Sequence, residues 1–304
     1  HMTPLPKFAF SIAALAVAAP ALAEEVNIYS YRQPELIKPL TDAFSAETGI
    51  AVNVAYLEKG MVERLQAEGK RSPADLIFTV DISRLHAAVE AGLTQPITSD
   101  ALTANVPPIY HDPEGHWWGR TTRARIVYAS KERVAEGEVT TYEDLADPKW
   151  KGRICTRSGT NAYNVALTSA AIYHHGEEGA KAWLEGVKAN LARKPQGNDR
   201  AQVKAIWAGE CDIAIGNTYY MGKMQNNTKN PEQKEWAEAV RIIFPNSETR
   251  GVHANVSGMV MAKFAPNPKP AKALMEYLVS AEAQSAYASV NYEYPVRTDI
   301  KSSK

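Results

Sequence analysis

Two tyrosines stand side by side in the segment NTYYMG, residues 217 to 222, directly after the run CDIAIG. Consecutive residues of a strand point to opposite faces, so Tyr219 and Tyr220 could not share one task within a strand. At a turn or at the start of a helix, their hydroxyl groups could converge on one point. Tyr163 has a similar setting in SGTNAYN, where a predicted strand has ended after a glycine. The pattern raises the question of what would use several phenol oxygens together.

Phenol oxygens can serve as metal ligands. With a pKa near ~10, a tyrosine hydroxyl is a poor general base at neutral pH. Once a strong Lewis acid has removed its proton, it becomes a hard anionic donor, and hard donors suit hard cations. Ferric iron is the biological cation acidic enough to deprotonate several phenols, and three phenolates would balance its charge. A structural aromatic role stays the open alternative for each single tyrosine.

The composition argues against a nucleic-acid binder, and the motif search against several common enzyme sites. Lys plus Arg and Asp plus Glu each total 34, and there is no basic tract. The sequence has no nucleophile elbow, HExxH motif, phosphate loop or GxGxxG motif. His174 and His175 follow a helical pattern that favours a helix surface over a metal site. Asp75 and Asp81 flank an apolar strand, where capping or strand-end roles are commoner than catalysis.

Residues 1–23 are predicted to be a secretory signal peptide. His1 and Met2 look like a cloning scar with Met2 as the natural start, and Lys7 supplies the positive charge that precedes the apolar stretch. That stretch, FAFSIAALAVAAPALA, ends in a small-x-small cleavage pattern at Ala23. It is shorter than the ~20 residues that a membrane-spanning helix needs. We therefore expect an exported protein.

The two cysteines, Cys155 and Cys211, are expected to meet an oxidising compartment after export. There they can form a disulfide bond, and two separate buried thiols are the alternative. Each precedes a tyrosine by eight residues, Cys155 before Tyr163 and Cys211 before Tyr219. A bridge between them would align two strands and carry both tyrosines toward the same edge of a sheet.

Strand-like and helical segments alternate along the chain. EVNIYSY, IAVNVAYL and SPADLIFTV are strand-like, and segments with apolar residues at helical spacing separate them. The alternation restarts after Arg120 and predicts an α/β fold with a mostly parallel sheet covered on both faces. A length of 304 residues favours two domains. The extended segments TTRARIVY and IIFPNSETRG could cross between two lobes, with a ligand cleft between the lobes.

The chain resembles periplasmic ferric-iron-binding proteins, the solute receptors of bacterial iron ABC transporters. The resemblance rests on VNIYSYRQP, SPADLIFTVD, YEDLADPKWKGRICTRSGTNAYN, PQGNDRAQ, CDIAIGNTYYMGKM, RGVHANVSG and NYEYPV, and it covers nearly all of the expected mature chain. It implies a two-lobed periplasmic-binding-protein fold of type II with a hinge of two crossovers. Residues 24–122 and 246–290 would form the first lobe, and residues 123–245 and 291–304 the second.

The resemblance also implies a set of iron ligands. By the family pattern, Tyr163, Tyr219 and Tyr220 bind ferric iron from the second lobe. Some relatives add a tyrosine from a His-Tyr pair in the first lobe, but Gln33 and Pro34 occupy those positions here. Because three phenolates cannot fill an octahedral shell, we expect carbonate or bicarbonate to bind as a synergistic anion.

The predicted anion needs a cation or hydrogen-bond donors. Arg32 is the first candidate, because its planar guanidinium matches a carboxylate-like anion. Gln33 could donate a further hydrogen bond, and Arg123 could add positive potential to the cleft. A surface or inter-lobe salt bridge is the alternative role for either arginine. Tyr31 is predicted not to be a ligand, since strand alternation would point it away from Arg32.

The implied function is capture of ferric iron in the cleft by a periplasmic monomer, which delivers it to an inner-membrane ABC permease without catalysing a reaction. One alternative is a receptor of the same architecture for an organic solute or an oxyanion, with tyrosines and tryptophans as a stacking box. A second alternative is a secreted enzyme that uses Arg32 and Asp81. The lack of a recognisable nucleophile–base pair argues against the enzyme.

Overall fold

The computed structural model describes residues 22–297. The predicted signal peptide therefore lies almost entirely outside the described residues. The strands are β1 (Glu25–Ser30), β2 (Ala51–Tyr56), β3 (Leu76–Thr79), β4 (Thr94–Gln95), β5 (Trp118–Ser130), β6 (Ile154–Cys155), β7 (Ile213–Asn217), β8 (Val240–Ile243), β9 (Ala254–Ala262) and β10 (Tyr294–Pro295). The α-helices are α1 (Pro34–Thr48), α2 (Met61–Glu68), α3 (Ile82–Glu90), α4 (Asp100–Asn105), α5 (Ala162–Ala189), α6 (Asp199–Trp207), α7 (Tyr219–Gln225), α8 (Glu232–Glu238), α9 (Pro268–Leu278) and α10 (Ala281–Asn291).

The predicted α/β class is confirmed, but the sheet is only partly parallel. In the first sheet the strand order is β2-β1-β3-β9-β5. β1 runs parallel to β2 and β3, whereas β9 runs antiparallel to β3 and β5. The prediction of a mostly parallel sheet is therefore wrong for these long strands. Ile28, Phe44 and Leu274 belong to one buried cluster, in which α1 and α9 cover this sheet.

Strand β5 joins the first sheet to a second one. Its residues 118–124 pair with β9, and residues 125–130 pair with β7 and β8. The second sheet is completed by β6, which runs parallel to β7. Every residue of β5 is buried, as expected for a strand that serves two cores. Within the described residues, no helix combines the length and apolar character that a bilayer crossing requires.

One further segment connects the sheets. The chain returns from β8 to β9 through residues 244–253, so both predicted crossover segments lie at junctions between the sheets. The lobe boundaries themselves stay a prediction. β10, which that prediction assigned to the second lobe, pairs with Thr121 and Thr122 in the first-sheet half of β5. Tyr292 packs on α7, where a Cβ added to Gly222 would lie 2.5 Å from the tyrosine ring.

The predicted disulfide bond is present between Cys155, at the end of β6, and Cys211, just before β7. The two Cα atoms are 6.0 Å apart, and both residues are buried. The bond therefore links the two parallel strands whose following segments carry the three tyrosines.

Candidate functional site

A cavity of about 660 Å³ opens between the two sheets. One side, here called the first wall, consists of Tyr31, Arg32, Gln33, Tyr56, Val80, Asp81, Arg84, Arg123 and Glu293. The opposite side, the second wall, consists of Asn161, Tyr163, Tyr219, Tyr220 and Lys223. Apart from Arg123, which lies within β5, the residues of both walls lie at strand ends or in the segments that flank them, where ligand sites of open α/β sheets gather.

The three predicted tyrosines lie together in the second wall. Tyr163 is in the first turn of α5, where the Asn161 side chain accepts a hydrogen bond from its backbone N–H at 3.0 Å. Tyr219 and Tyr220 begin α7, directly after β7. The Tyr219 hydroxyl donates to the Tyr163 hydroxyl at 3.1 Å, and the rings of Tyr219 and Tyr220 have centroids 4.4 Å apart. A helix start thus brings adjacent tyrosines to one point.

Burial favours the protonated form of Tyr219 and Tyr220. It raises the pKa of Tyr219 above its usual value, and the neighbouring phenols of Tyr163 and Tyr220 raise that pKa further. Burial also raises the pKa of Tyr220. Adjacent phenolates in a poorly solvated site would repel each other. A multivalent cation bonded to the oxygens would supply the compensating charge that the site lacks.

The donor atoms in this region are phenol oxygens rather than the commoner metal ligands. Across residues 22–297, no group of three or more His, Cys, Asp and Glu side chains is arranged to hold a metal ion. Anionic phenol oxygens are hard donors, which match a hard trivalent cation better than a soft one.

A buried ion network stands behind the tyrosines. Asp199 accepts hydrogen bonds from Arg125 at 2.7 Å and from Arg157 at 3.2 Å. It also accepts one from the backbone N–H of Asn217 at 2.8 Å. Arg125 donates in addition to Asn164, in the first turn of α5, at 2.7 Å. The network therefore ties α5, α6 and β7 together and fixes the starts of the two helices that carry the tyrosines.

Arg32, the first candidate for the anion, is buried and already paired in this structure. Its Nη2 donates to Glu293 Oε1 at 2.6 Å and to the Ser257 hydroxyl at 3.2 Å. Thr121 donates to the other oxygen of Glu293 at 2.5 Å. Burial alone would raise the pKa of Glu293, but the guanidiniums of Arg32 and Arg123 outweigh it and hold that pKa below its usual value. The charge of Arg32 is thus matched within the protein.

Gln33 and Arg123, the other two anion candidates, also line the cavity. Gln33 is exposed and stands at the N-cap of α1, where its side chain makes no capping hydrogen bond. Arg123 is buried in β5, where it donates to the Val80 carbonyl and lies 3.5 Å from the Ser257 hydroxyl. Their roles in anion binding stay predictions.

The inference that Tyr31 points away from Arg32 is wrong. Both residues line the same cavity. β1 ends at Ser30 and the chain bends immediately after it, so strand alternation no longer applies to these two residues. The Arg84 guanidinium carbon lies over the Tyr31 ring, 4.1 Å from the ring centroid. Burial raises the pKa of Tyr31.

Two cleft residues escaped the sequence analysis. Glu293 was noted only as part of NYEYPV, and Lys223 only as part of CDIAIGNTYYMGKM. The Lys223 ammonium lies over the rings of Tyr219 and Tyr220, 4.9 Å and 5.7 Å from their centroids. Burial lowers the pKa of Lys223, and the nearby Arg200 lowers it further. Helical spacing could have predicted that Lys223 lies beside the tyrosines, because it follows Tyr219 by one helical turn.

Asp75 and Asp81 have the structural roles that the sequence predicts for them. Asp81 caps α3 by accepting from the Arg84 backbone N–H at 2.9 Å. Asp75 accepts from the backbone N–H groups of Asn27 and Asn267 at 2.8 Å and 2.6 Å. These strand-end and capping predictions are confirmed.

The paired histidines are exposed on α5, as predicted. The Nε2 atom of His175 lies 2.8 Å from the Glu143 carboxylate, which Arg250 also contacts at 2.6 Å. Both contacts lie away from the cleft between the two walls.

Comparison with known proteins places the chain among bacterial transport receptors. A family described as bacterial extracellular solute-binding protein matches residues 71–304. Iron uptake protein A1 of Synechocystis sp. is 45% identical over 286 residues, which cover 94% of this chain and 79% of that protein. The crystal structure of Mannheimia haemolytica ferric iron-binding protein A in an open conformation is 52% identical, with a TM-score of 0.84 over 92% of this chain and 88% of that one. A Trichodesmium protein in complex with iron and citrate is 42% identical, with a TM-score of 0.85 over 92% of this chain and 89% of that one.

Proposed function

Since the chain belongs to the bacterial extracellular solute-binding protein family, we propose that it captures ferric iron in the cleft and delivers it to an inner-membrane ABC permease. The similar proteins from Synechocystis and Mannheimia bear names of iron uptake and ferric iron binding. The protein acts in the periplasm, as a monomer, and catalyses no reaction. Iron is the cargo that it carries to the permease.

The observation that carries this proposal is the convergence of three phenols in the second wall. The hydroxyls of Tyr163 and Tyr219 are 3.1 Å apart, and the Tyr220 ring packs beside that of Tyr219, with 4.4 Å between the ring centroids. Ligands on a common ion are close neighbours, and these side chains already are. In the proposed site, Tyr163, Tyr219 and Tyr220 bind ferric iron as phenolates, and their three protons pass to the solvent.

Raised phenol pKa values support reversible capture. Because burial keeps the Tyr219 and Tyr220 hydroxyls protonated in the empty site, iron binding must release protons. Affinity for the metal therefore falls as the pH falls. Protonation of the phenolates or loss of the anion would release the iron to the permease.

The coordination shell is completed by an anion, which we propose to be carbonate or bicarbonate. Arg32, Gln33 and Arg123 all line the first wall, opposite the tyrosines. Citrate accompanies iron in the Trichodesmium protein, so oxygen-rich anions with carboxylate-like geometry are the relevant class. Arginine suits this class because its planar donors match such anions.

The experiment is a titration of the apo protein with ferric citrate, followed in the visible spectrum. Phenolate coordination gives a new charge-transfer absorption, which we expect to saturate at one iron per protein. A receptor for an organic solute or an oxyanion, with the tyrosines as a stacking box, gives no such absorption. Failure of colour to develop at any bicarbonate concentration would overturn the proposed function.

A further inference from the structure

The half-buried ammonium group of Lys223 faces the cleft without an acidic partner. Lys223 lies four residues after Tyr219 and three after Tyr220 on α7, so its side chain neighbours both tyrosines on the helix surface. Within the described part of the chain, its ammonium group forms no salt bridge or hydrogen bond. Removing a charge from water without a partner is unfavourable. The position therefore suits a cation whose partner arrives with the ligand.

Two of the other cleft cations are already matched. Four cationic side chains and two carboxylates line the cavity. Arg32 pairs with Glu293 at 2.6 Å, and Arg84 lies 3.6 Å from Asp81. These two pairs contribute no net charge to the cleft, so two positive charges remain in excess.

The excess charges belong to Arg123 and Lys223. Arg123 directs its donors to the Val80 carbonyl and the Ser257 hydroxyl, both of which lie on the first-sheet side. Lys223 keeps all three ammonium donors, and it stands over the proposed metal ligands Tyr219 and Tyr220. Of these two cations, Lys223 is therefore the one that can turn toward an anion bound at the metal.

The charge of the proposed complex requires such a cation. Three phenolates neutralise one ferric ion, so a carbonate dianion adds two uncompensated negative charges and a bicarbonate adds one. The two unmatched positive charges that line the cavity, those of Arg123 and Lys223, can compensate either anion. Burying the anion without them would carry a large desolvation penalty.

We infer that Lys223 binds the synergistic anion, donating a charge-assisted hydrogen bond to an anion oxygen. Arg123 supplies the second compensating charge. Arg32, whose charge is matched by Glu293, can add a hydrogen bond to the anion from the first wall but no net charge. This inference rests on the proposed function, because it concerns the anion of the same iron site.

The test is the bicarbonate dependence of the iron charge-transfer band in wild-type protein and in Lys223→Met. Ferric iron is supplied as the nitrilotriacetate complex in bicarbonate-depleted buffer, and bicarbonate is then titrated. Losing one hydrogen bond to a charged group should raise the bicarbonate concentration at half-maximal colour by about tenfold or more. Lys223→Arg should restore most of the wild-type dependence, because it keeps the charge at the same position.

Lys204→Met is the matched control. Lys204 also stands over an aromatic ring, that of Trp236 at 5.3 Å, but it lies on α6 away from the cavity. Its replacement removes the same charge and should leave the bicarbonate midpoint within about twofold, since exposed charges are screened. Circular dichroism and thermal melting establish that each variant is folded.

The outcomes separate this inference from the proposed function. Wild-type protein that never develops colour would overturn the proposed function itself. Wild-type protein that colours normally, with Lys223→Met showing the same bicarbonate midpoint as wild type and Lys204→Met, would overturn only the role of Lys223. A raised midpoint in Lys223→Met that Lys223→Arg reverses supports the inference.

Discussion

The two walls of the cleft differ in how their polar side chains are paired. The second wall presents phenols beside the ammonium group of Lys223, and burial raises the pKa of Tyr219 and Tyr220. The first wall presents charges that are mostly matched within the wall, as in the pair of Arg32 with Glu293. One side is thus an incomplete ligand set that needs a cation, and the other is a charged surface that is nearly satisfied. Under the proposed function, the second wall supplies the metal ligands and the first wall faces them across the cleft.

This difference predicts that loss of a tyrosine hydroxyl lowers iron affinity much more in the second wall than in the first. Tyr219→Phe removes a proposed ligand. Loss of a residue that only supports a ligand weakens metal binding by up to about 100-fold, so we expect Tyr219→Phe to weaken iron binding by more than that. Tyr31→Phe removes a hydroxyl from the first wall and should change iron affinity by no more than about threefold, as for a minor surface change. Competition of each variant with citrate for iron measures both.

A comparable loss of affinity in the two phenylalanine variants would break the distinction between the walls. Unchanged colour in Tyr219→Phe would remove that residue from the ligand set.

The ion network behind the second wall should carry stability as well as position. Asp199→Asn leaves Arg125 and Arg157 without their buried carboxylate, and loss of one partner of a buried pair costs about 3–5 kcal/mol. Urea unfolding measures the change in free energy. Asp42→Asn, which breaks the exposed pair of Lys38 and Asp42, is the control and should cost about 0.5 kcal/mol or less. Equal effects of the two substitutions would contradict the structural role of the network.

The smallest expected effect concerns Glu143, which lies away from the cleft and whose contribution to stability falls in acid. Hydrogen bonds from Asn246, Arg250 and His175 outweigh burial and lower the pKa of Glu143 from 4.5 to about 2. A carboxyl with a depressed folded-state pKa contributes stability that is present above its unfolded pKa and is lost as the pH falls through the folded value. The stability difference between wild type and Glu143→Gln should therefore be constant above about pH 5 and shrink between pH 4.5 and about pH 2.

Urea unfolding at several pH values checks this prediction. Because the Glu143 carboxylate is about one-third exposed, solvent screening keeps the effect small. A difference that grows as the pH falls would contradict the assigned direction of the shift.

Local pattern was sufficient to place the tyrosines of the second wall, but it missed Lys223 in that wall and Glu293 in the first wall. Tyr219 and Tyr220 follow an apolar strand directly, so their place at a helix start could be predicted from neighbouring residues. Glu293 pairs with Arg32 from 261 positions away, and no local pattern connects them. Tyr31 was misplaced because strand alternation was extended beyond Ser30, where β1 ends.

The fold shows the same limit. The alternation of elements predicted an α/β protein, and the compartment argument predicted the bond between Cys155 and Cys211. The antiparallel course of β5 and β9 was missed, because strand direction is set by partners distant in the chain. Asp199 was missed for a related reason: its two arginine partners lie 74 and 42 residues away.

The central claim is that three phenol oxygens from the second wall share one ferric ion. A crystal structure of the iron-loaded protein, grown with bicarbonate, tests it most directly. The account predicts the hydroxyl oxygens of Tyr163, Tyr219 and Tyr220 all within bonding distance of a single metal ion. A metal bound elsewhere, or bound with any of these three oxygens outside its coordination shell, would contradict the account.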